Sequence, residues 1–270
     1  MMYSTFLRIL AIACAVFLGQ AAPVRAAFVL QENFDDVSDW TNHSGGALSV
    51  TTDPADAGNS VGTNAAGSTR NSRSITAIAN DTIGTIFFRF RLPAGAQDFG
   101  FGFGDAPANN QLPVTVFASG TSPTDLFMYP FSSSQASLAS DVWYSLWLVV
   151  DNRDATPDEY TGYLQGGAFT SQTLLATKNF SNTTGFGTSV LNGPIDTVQF
   201  REFNASLLID DLYIDATGEN LANPTLLAAV PEPSTLSLLA LAQFGLALRR
   251  RSASGRRSAR TCLARRQFVN

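Results

Sequence analysis

The sequence is poor in the side chains on which many enzymes and nucleic-acid-binding proteins depend. Its 270 residues include one histidine, His43, and one lysine, Lys178, and only 14% of the residues are charged. Catalysis by Ser-His-Asp or Cys-His groups needs a histidine, and zinc sites usually combine several histidines and cysteines. His43 lies in a polar stretch, where we expect a solvated loop residue. Neither class of site is therefore expected.

Cysteine and positive charge are scarce in the central part of the chain. Both cysteines, Cys14 and Cys262, lie near the ends, so neither a disulfide framework nor a cysteine metal site is expected in the central part of the chain. Residues 28–230 contain seven Lys or Arg and 21 Asp or Glu, hence a net charge of −14, whereas residues 249–270 contain eight Arg and no acid. A body this acidic is not expected to bind nucleic acid, which requires neutralisation of phosphates.

The N-terminus has the pattern of a secretory signal peptide. Arg8 precedes an apolar run at 9–19, and small or tolerated residues follow at 24–26. This order predicts cleavage between Ala26 and Ala27 and export of the mature chain.

Apolar residues alternate with other residues along several short segments of the body. In 82–92 and 98–105 every second residue is apolar, and in 141–152 both faces are largely apolar. A period of two indicates β-strands, and the Gly-, Asn-, Ser- and Pro-rich segments between them indicate turns. We expect about eleven or twelve strands and no amphipathic helix longer than ten residues. The predicted fold is an all-β, antiparallel jelly-roll β-sandwich.

Strand pairing is also predicted from this pattern. Segment 141–152 is expected to be central and covered on both faces, with 159–167 as its hairpin partner. Segments 195–203 and 205–215 are expected to form a final pair. Residues 216–229 lack alternation and are interpreted as a linker.

The C-terminal part contains a short apolar run that ends in an arginine cluster. Residues 234–248 carry no charge, and Arg249, Arg250 and Arg251 follow directly. Fifteen residues of helix span only ~22 Å, less than the ~30 Å of a bilayer core. The run is therefore a marginal single transmembrane helix, and its arginines would hold that end on the cytoplasmic side.

Residues 230–251, with "VPEPSTLSLLALAQFGLALRRR", resemble the PEP-CTERM sorting signal of Gram-negative surface proteins. The resemblance implies recognition by an exosortase near Pro231, Glu232 and Pro233, and transient residence in the inner membrane. It further implies removal of the helix and release to the cell surface or extracellular matrix. The family usually ends soon after its arginines, whereas this chain continues through a basic extension at 252–270.

The body resembles concanavalin A-like, laminin-G-like jelly-roll domains through "ENFDD", "WYSLWLVVDN" and "LLIDDLYID". The resemblance implies that the first and last strands pair, bringing Phe34 and Asp35 near Leu208 and Asp210. The domain organisation predicted is a signal peptide at 1–26, a sandwich at 27–217, a linker at 218–229, the sorting signal at 230–251 and the extension.

The same resemblance implies carbohydrate binding by aromatic rings. The candidate residues are Trp40, Trp143, Trp147 and Tyr163. Trp143 and Trp147 have core packing as the alternative, whereas Trp40, in a polar stretch, is expected to be the most exposed ring. An extracellular polysaccharide is therefore a candidate partner.

Carboxylates are frequent enough to raise two further hypotheses. A calcium site is a candidate in the loop that contains Asp151, Asp154 and Asp158, because calcium prefers oxygen ligands. A glycosidase needs two carboxylates across a cleft, and the acids at 158–160 and at 209–215 come closest to that pattern. In the second segment, Asp211 and Asp215 are expected on one strand face and Asp210 on the other. We expect a non-enzymatic protein without catalytic residues or cofactor, with a polysaccharide-active enzyme as the alternative.

Overall fold

The computed structural model describes residues 27–64, 67–95, 98–105, 112–119, 124–130, 133–153, 158–179, 193–202 and 207–227. The chain divides into two compact units, Met1–Ala222 and Asn223–Asn270. In the second unit the description covers one short helix, α1 (Pro224–Leu227). Asn223 caps it, because its side-chain oxygen accepts the backbone N–H of Thr225 at 3.0 Å. No described helix is both long and apolar enough to span a membrane.

The described part of the first unit consists of strands joined by turns. In chain order they are β1 (Val29–Glu32), β2 (Thr41–Ser44), β3 (Leu48–Asp53), β4 (Asp56–Asn64), β5 (Thr69–Ile78), β6 (Thr82–Arg91), β7 (Phe99–Gly104), β8 (Val114–Ser119), β9 (Thr124–Met128), β10 (Ala136–Leu138), β11 (Trp143–Asn152), β12 (Glu159–Gly166), β13 (Phe169–Asn179), β14 (Ile195–Glu202) and β15 (Leu208–Asp215). The count of fifteen exceeds the expected eleven or twelve, partly because short strands such as β2 and β10 carry too few residues to show alternation.

The strands form two antiparallel sheets. Sheet 1 has eight strands in the order β13-β12-β11-β6-β15-β4-β3, with β1 paired to β15. Sheet 2 has seven strands in the order β10-β9-β8-β7-β14-β5-β2. The predicted all-β antiparallel sandwich is confirmed. We call the face of each sheet that turns away from the other sheet its outer face.

Alternating apolar side chains form the core between the sheets. Phe88 and Phe90 of β6 are fully buried and meet Phe101 of β7, with ring centroids 4.5 and 5.7 Å from it. Because successive side chains of a strand point to opposite faces, these rings pack inward while Arg89 lies on the outer face of sheet 1. The apolar faces predicted for segments 82–92 and 98–105 are therefore confirmed.

The central position predicted for 141–152 is confirmed as well. β11 pairs with β6 on one side and β12 on the other. On the outer face, Trp147 is 1% exposed, packs 5.0 Å from Phe87 between ring centroids, and donates its indole N–H to the carbonyl of Ala222. Residues 218–222 were expected to begin a linker. In the structure, Gly218, Asn220 and Ala222 of this segment are hydrogen-bonded to Thr85 and Trp147 of sheet 1.

The first and last strands pair, as the jelly-roll resemblance implies. β1 runs antiparallel to β15, with Val29 opposite Ile214. Phe34 also lies close to β15. A Cβ added at Gly62 would be 2.4 Å from the Phe34 ring and 3.0 Å from the side chain of Ile209 in β15, so both side chains pack against the same glycine.

The expected pairing of the last two strands with each other is wrong. β14 belongs to sheet 2, between β5 and β7, whereas β15 belongs to sheet 1, beside β6. Val198 and Ile209 both point into the core, but from opposite sheets. Two neighbouring strands with one apolar face each can either pair or face each other, and alternation alone does not distinguish these arrangements.

Candidate functional site

The hairpin of β3 and β4 reaches over the outer face of sheet 1. Its turn residue Asp53 is 4% exposed and accepts the indole N–H of Trp143 in β11 at 3.2 Å. Arg91 of β6 lies 3.7 Å from the same carboxylate oxygen, Oδ1, and the backbone N–H of Ala55 donates to it at 2.8 Å. The hairpin is thereby fixed over β15 and β6, the strands that lie between β4 and β11 in the sheet.

An open pocket of about 460 Å³ lies between this hairpin and the sheet. Its walls combine carboxylates, an amide, a guanidinium group and an indole. The lining residues are Asp53, Ala55, Asp56, Gly58, Asn59, Arg89, Trp143, Asp210 and Asp211.

Asp210 is the most unusual carboxylate of this pocket. It is 2% exposed, and it accepts hydrogen bonds from the side chain of Asn59 at 2.8 Å and from the backbone N–H of Asp211 at 2.9 Å. Burial, and then the neighbouring charge of Asp211, raises the pKa of Asp210 to about 6, although Asn59 and Arg89 act in the opposite direction. Asp210 therefore keeps its proton to a higher pH than an exposed carboxyl does.

A bulge in β15 brings Asp211 to the same pocket. The register between β15 and β6 shifts between Asp210 and Tyr213, and Asp211 has a left-handed φ of 57°. Its carboxylate accepts a hydrogen bond from Arg89 at 2.8 Å, and Asp210 is directly opposite Arg89 in the register. The expectation that Asp210 and Asp211 lie on different faces is thus wrong, because the bulge breaks the strict alternation.

Arg89 organises the centre of the pocket. Its guanidinium carbon lies 4.8 Å from the ring centroid of Trp143, over the ring, while its Nη1 is 3.7 Å from Asp210. One face of the Trp143 indole is therefore covered, and an additional planar ligand could stack only on the other face.

The pocket offers several polar groups in fixed positions. All four carboxylates that line it, those of Asp53, Asp56, Asp210 and Asp211, already accept at least one protein hydrogen bond, which holds them in place. Each still has further lone pairs, since an ionised carboxylate can accept about four hydrogen bonds. Such a wall suits a ligand rich in hydroxyl groups. Among the described residues, no cluster of three or more His, Cys, Asp or Glu could hold a metal ion.

The four aromatic candidates have different environments. Trp40 was expected to be exposed, and this is wrong: it is 9% exposed, stacks on Phe200 with centroids 4.7 Å apart, and donates its indole N–H to buried Glu32 at 3.0 Å. Trp147 is covered as described above, so neither ring is available for a sugar. Trp143 and Tyr163 are half-buried on the outer face of sheet 1, and only Trp143 lines the pocket.

The candidate calcium loop is described only in part. Both oxygens of Asp151 accept hydrogen bonds from the Arg153 guanidinium, at 2.7 and 2.5 Å. This pairing holds the pKa of Asp151 below its usual value. Asp158 is half-buried, and Asp154 lies outside the described residues. A cation at Asp151 would have to displace Arg153, so calcium binding here stays a prediction.

Sequence reasoning missed the hairpin residues of the pocket. Residues 53–59 have the composition of a turn, but the turn itself covers only the two residues between β3 and β4. Nothing in their pattern showed that Asp53 and Asn59 would bond to residues 90 and 151 positions away. The acids at 210 and 211 were noticed in the sequence. These groups come together only because β11, β6, β15 and β4 are neighbours in sheet 1.

The C-terminal part of the chain is similar to a known sorting motif. Residues 229–251 match the model of the PEP-CTERM protein-sorting motif. The chain carries a PEP-CTERM motif. This confirms the resemblance noted from the sequence, and it indicates exosortase-dependent export to the cell surface or extracellular space.

Several residues connected with export lie outside the described part of the chain. They are Pro231, Glu232, Pro233, Arg249, Arg250 and Arg251 of the PEP-CTERM motif, and Ala26 of the expected cleavage site. Ala27, on the other side of that site, is exposed. Signal cleavage and the membrane-spanning step stay predictions.

Solved structures show weak similarity to the chain. One is an endo-β-1,4-glucuronan lyase from Trichoderma reesei, with 10% identity, coverage of 72% of this chain and 97% of that chain, and a TM-score of 0.43. Another is a GH131 β-glucanase catalytic domain from Podospora anserina, with 13% identity, 68% and 87% coverage, and a TM-score of 0.42. The metal-free Emp46p carbohydrate recognition domain has 11% identity, 70% and 97% coverage, and a TM-score of 0.41. Scores of this size give no evidence about ligand or reaction. No curated protein matches significantly.

Proposed function

We propose that the protein is a non-enzymatic component of the cell surface or extracellular matrix that binds a polysaccharide through the pocket on the outer face of sheet 1. The PEP-CTERM motif supports the location, since it indicates delivery to the surface. The pocket supports the binding, since Asn59, Arg89 and Asp210 are held in fixed positions at its wall.

The single observation that carries this proposal is the hydrogen-bonded wall between hairpin and sheet. Polar groups that are fixed before binding lose little conformational freedom when a ligand docks, and they fix its orientation. Vicinal hydroxyl groups of a sugar can donate to the carboxylates and accept from the Arg89 guanidinium and the Asn59 amide. The uncovered part of Trp143 adds an apolar surface for the sugar ring.

A glycan array tests this proposal. The full chain is prepared in a sugar-free detergent, together with Asn59→Ala and the matched control Asn33→Ala, whose side chain is exposed and bonds only to Asp35 among the contacts described. We expect wild type and Asn33→Ala to bind the same glycans, and Asn59→Ala to bind them about tenfold more weakly. Equal binding by all three proteins contradicts the proposed pocket.

A polysaccharide-active enzyme is the second candidate, and one observation favours it. Asp210 has a pKa of about 6 and lies beside Asp211, and a general acid needs a pKa near the working pH. A polysaccharide hydrolysis assay run beside the array separates the two candidates. Turnover that Asp210→Asn abolishes would replace the binding proposal with an enzymatic one, whereas binding without turnover supports the non-enzymatic role.

A further inference from the structure

The pocket on the outer face of sheet 1 has an excess of negative charge. Four of its lining residues are aspartates, and one, Arg89, is basic. A second guanidinium, that of Arg91, lies 3.7 Å from the carboxylate of Asp53, but it is shared with Asp141 at 3.3 Å. Four carboxylates and two guanidinium groups leave a net charge of −2 when all are ionised, and of −1 when one carboxyl is protonated. A cationic ligand is therefore favoured over an anionic one.

The charge of one carboxylate in this pocket is not offset by a neighbouring arginine. Asp53, Asp210 and Asp211 each lie 2.8–3.7 Å from a guanidinium nitrogen. Asp56, the first residue of β4, is exposed, and its Oδ1 accepts the backbone N–H of Gly58 at 2.9 Å. Within the part of the chain that the structure describes, Asp56 forms no ion pair. Its charge is therefore available to a cationic group of a ligand.

Three carboxylates of the pocket also have an oxygen with unused hydrogen-bonding capacity. The hydrogen bonds to Asp53 and Asp56 all end on Oδ1, and the one to Asp211 ends on Oδ2. The second oxygen of each accepts no hydrogen bond from any residue that the structure describes. An ammonium group has three donors and no acceptor, whereas a hydroxyl group has one donor. A sugar with a free amine can therefore satisfy more of these oxygens than a neutral sugar can.

The size and the remaining groups of the pocket suit a sugar ring that carries such an amine. Its volume of about 460 Å³ lies within the ~300–1,000 Å³ that small-molecule sites occupy. Arg89 covers one face of the Trp143 indole and leaves the other for the apolar face of a sugar. An N-acetylated sugar would bring a neutral amide to the carboxylates, and an acidic sugar would bring a like charge. Both are therefore expected to bind more weakly than the free amine.

We propose that this pocket selects sugars with a free, protonated amine, as in a chain of glucosamine units, over N-acetylated and acidic sugars, and that Asp56 is a specificity-determining residue. This inference rests on the polysaccharide binding proposed above and adds the chemical class of the ligand. Hydrogen bonds from an ammonium group to carboxylates are stronger than those between neutral groups, so the amine is the group that the pocket distinguishes.

Titration calorimetry of the full chain in a sugar-free, uncharged detergent tests this selectivity. The probes are short oligomers of glucosamine, N-acetylglucosamine and galacturonate, matched in length, at a pH at which the amine is protonated. Wild type is compared with Asp56→Asn, which removes the charge but can still accept the Gly58 N–H.

Asp36→Asn is the matched control. Asp36 is also exposed and accepts a backbone N–H two residues on, that of Ser38, at 2.9 Å, but it does not line the pocket. Both variants change the net charge of the chain by the same amount. A diffuse attraction of cationic sugars to the acidic body would therefore weaken equally in the two, whereas a local site responds only to Asp56→Asn.

We expect glucosamine oligomers to bind about tenfold more tightly than N-acetylated ones, and galacturonate oligomers to bind most weakly. Asp56→Asn should weaken glucosamine binding about threefold or more and leave N-acetylglucosamine binding nearly unchanged, and Asp36→Asn should change neither. The inference is overturned if glucosamine oligomers do not bind, or if N-acetylated or acidic oligomers bind as tightly. It is also overturned if Asp56→Asn binds glucosamine oligomers like wild type, or if the two variants weaken this binding equally.

This outcome is separable from that of the glycan array. Array binding that Asn59→Ala weakens, together with no preference for the amine, would overturn the selectivity and leave the binding pocket in place. Equal array binding by wild type and Asn59→Ala would instead overturn the pocket itself.

Discussion

Asn59 donates its side-chain N–H to Oδ2 of Asp210 at 2.8 Å, although 151 positions separate the two residues in the chain. This hydrogen bond joins the β3–β4 hairpin to the bulge of β15 and closes one side of the pocket. It also holds a buried carboxyl whose pKa lies well above its ordinary value of 3.8.

The raised pKa of Asp210 predicts a specific dependence of stability on pH. The folded state binds this proton more tightly than the unfolded state, so the contribution to stability is fully present below about pH 4 and is lost as the pH rises through about 6. Urea unfolding from pH 4 to pH 7 should show wild type losing about 2 kcal/mol relative to Asp210→Asn across that range. Parallel curves for the two proteins would contradict the assignment.

Asp36 provides a control of opposite sign for that experiment. The backbone and side chain of Ser38 donate hydrogen bonds that lower the pKa of this exposed carboxyl. Its contribution is present above its ordinary pKa and is lost as the pH falls. Asp36→Asn should therefore not reproduce the effect of Asp210→Asn.

Buried Glu32 supports a second prediction, on stability. Its carboxylate accepts hydrogen bonds from the indole N–H of Trp40 and the backbone N–H of Phe34, and it forms an ion pair with Arg73. Glu32→Gln leaves the Arg73 charge without its buried partner and should lower the free energy of unfolding by about 2–4 kcal/mol in urea titrations. Gln31→Ala, an adjacent and more exposed change, should have a much smaller effect, and similar losses in both variants would argue against the network.

Close packing at Gly62 supports a third prediction. Phe34 is fully buried, and a Cβ at position 62 would lie 2.4 Å from its ring. Gly62→Ala should lower the free energy of unfolding by about 1–3 kcal/mol, because the ring must leave its position. The control is Gly58→Ala in the same strand, where the nearest atom to an added Cβ is 3.4 Å away. A Gly62→Ala protein as stable as the control would show that Phe34 does not pack there.

Sequence alternation predicted the faces of the long strands well. In β6, β7 and β11 every second side chain belongs to the core between the sheets, so local pattern and global fold agree. The pattern failed where neighbours distant in sequence decide the outcome. Trp40 is buried because Phe200 and Glu32 surround it, although its own neighbours in the sequence are polar.

The candidate site was less accessible to sequence reasoning than the fold. A bulge at Asp211 puts Asp210 and Asp211 at the same pocket, although the alternation pattern placed them on opposite faces. A single bulged residue leaves no signal in such a pattern. Strand pairing was also misjudged, because β14 pairs with β5 and β7 and not with the segment that follows it in the sequence. By contrast, the PEP-CTERM motif is local in sequence and was found from its residues alone.

The PEP-CTERM motif supports a fourth prediction, on export. Replacing Pro231, Glu232 and Pro233 with alanine should leave unprocessed protein in the inner membrane, detected by cell fractionation and blotting. Replacing Gln267, Phe268 and Val269, which follow the arginine cluster, is the control and should leave processing unchanged. Unchanged processing of the first variant would show that the motif does not direct export.

Hydrogen–deuterium exchange tests the central claim, that the hairpin pocket of sheet 1 binds a polysaccharide, most directly. The full chain is measured with and without the extracellular polysaccharide of the producing cells, at a concentration where binding is saturated. We predict slower exchange in residues 53–59 and 208–212, the two segments that the Asn59–Asp210 hydrogen bond joins. Saturated binding that leaves exchange in both segments unchanged would contradict the account.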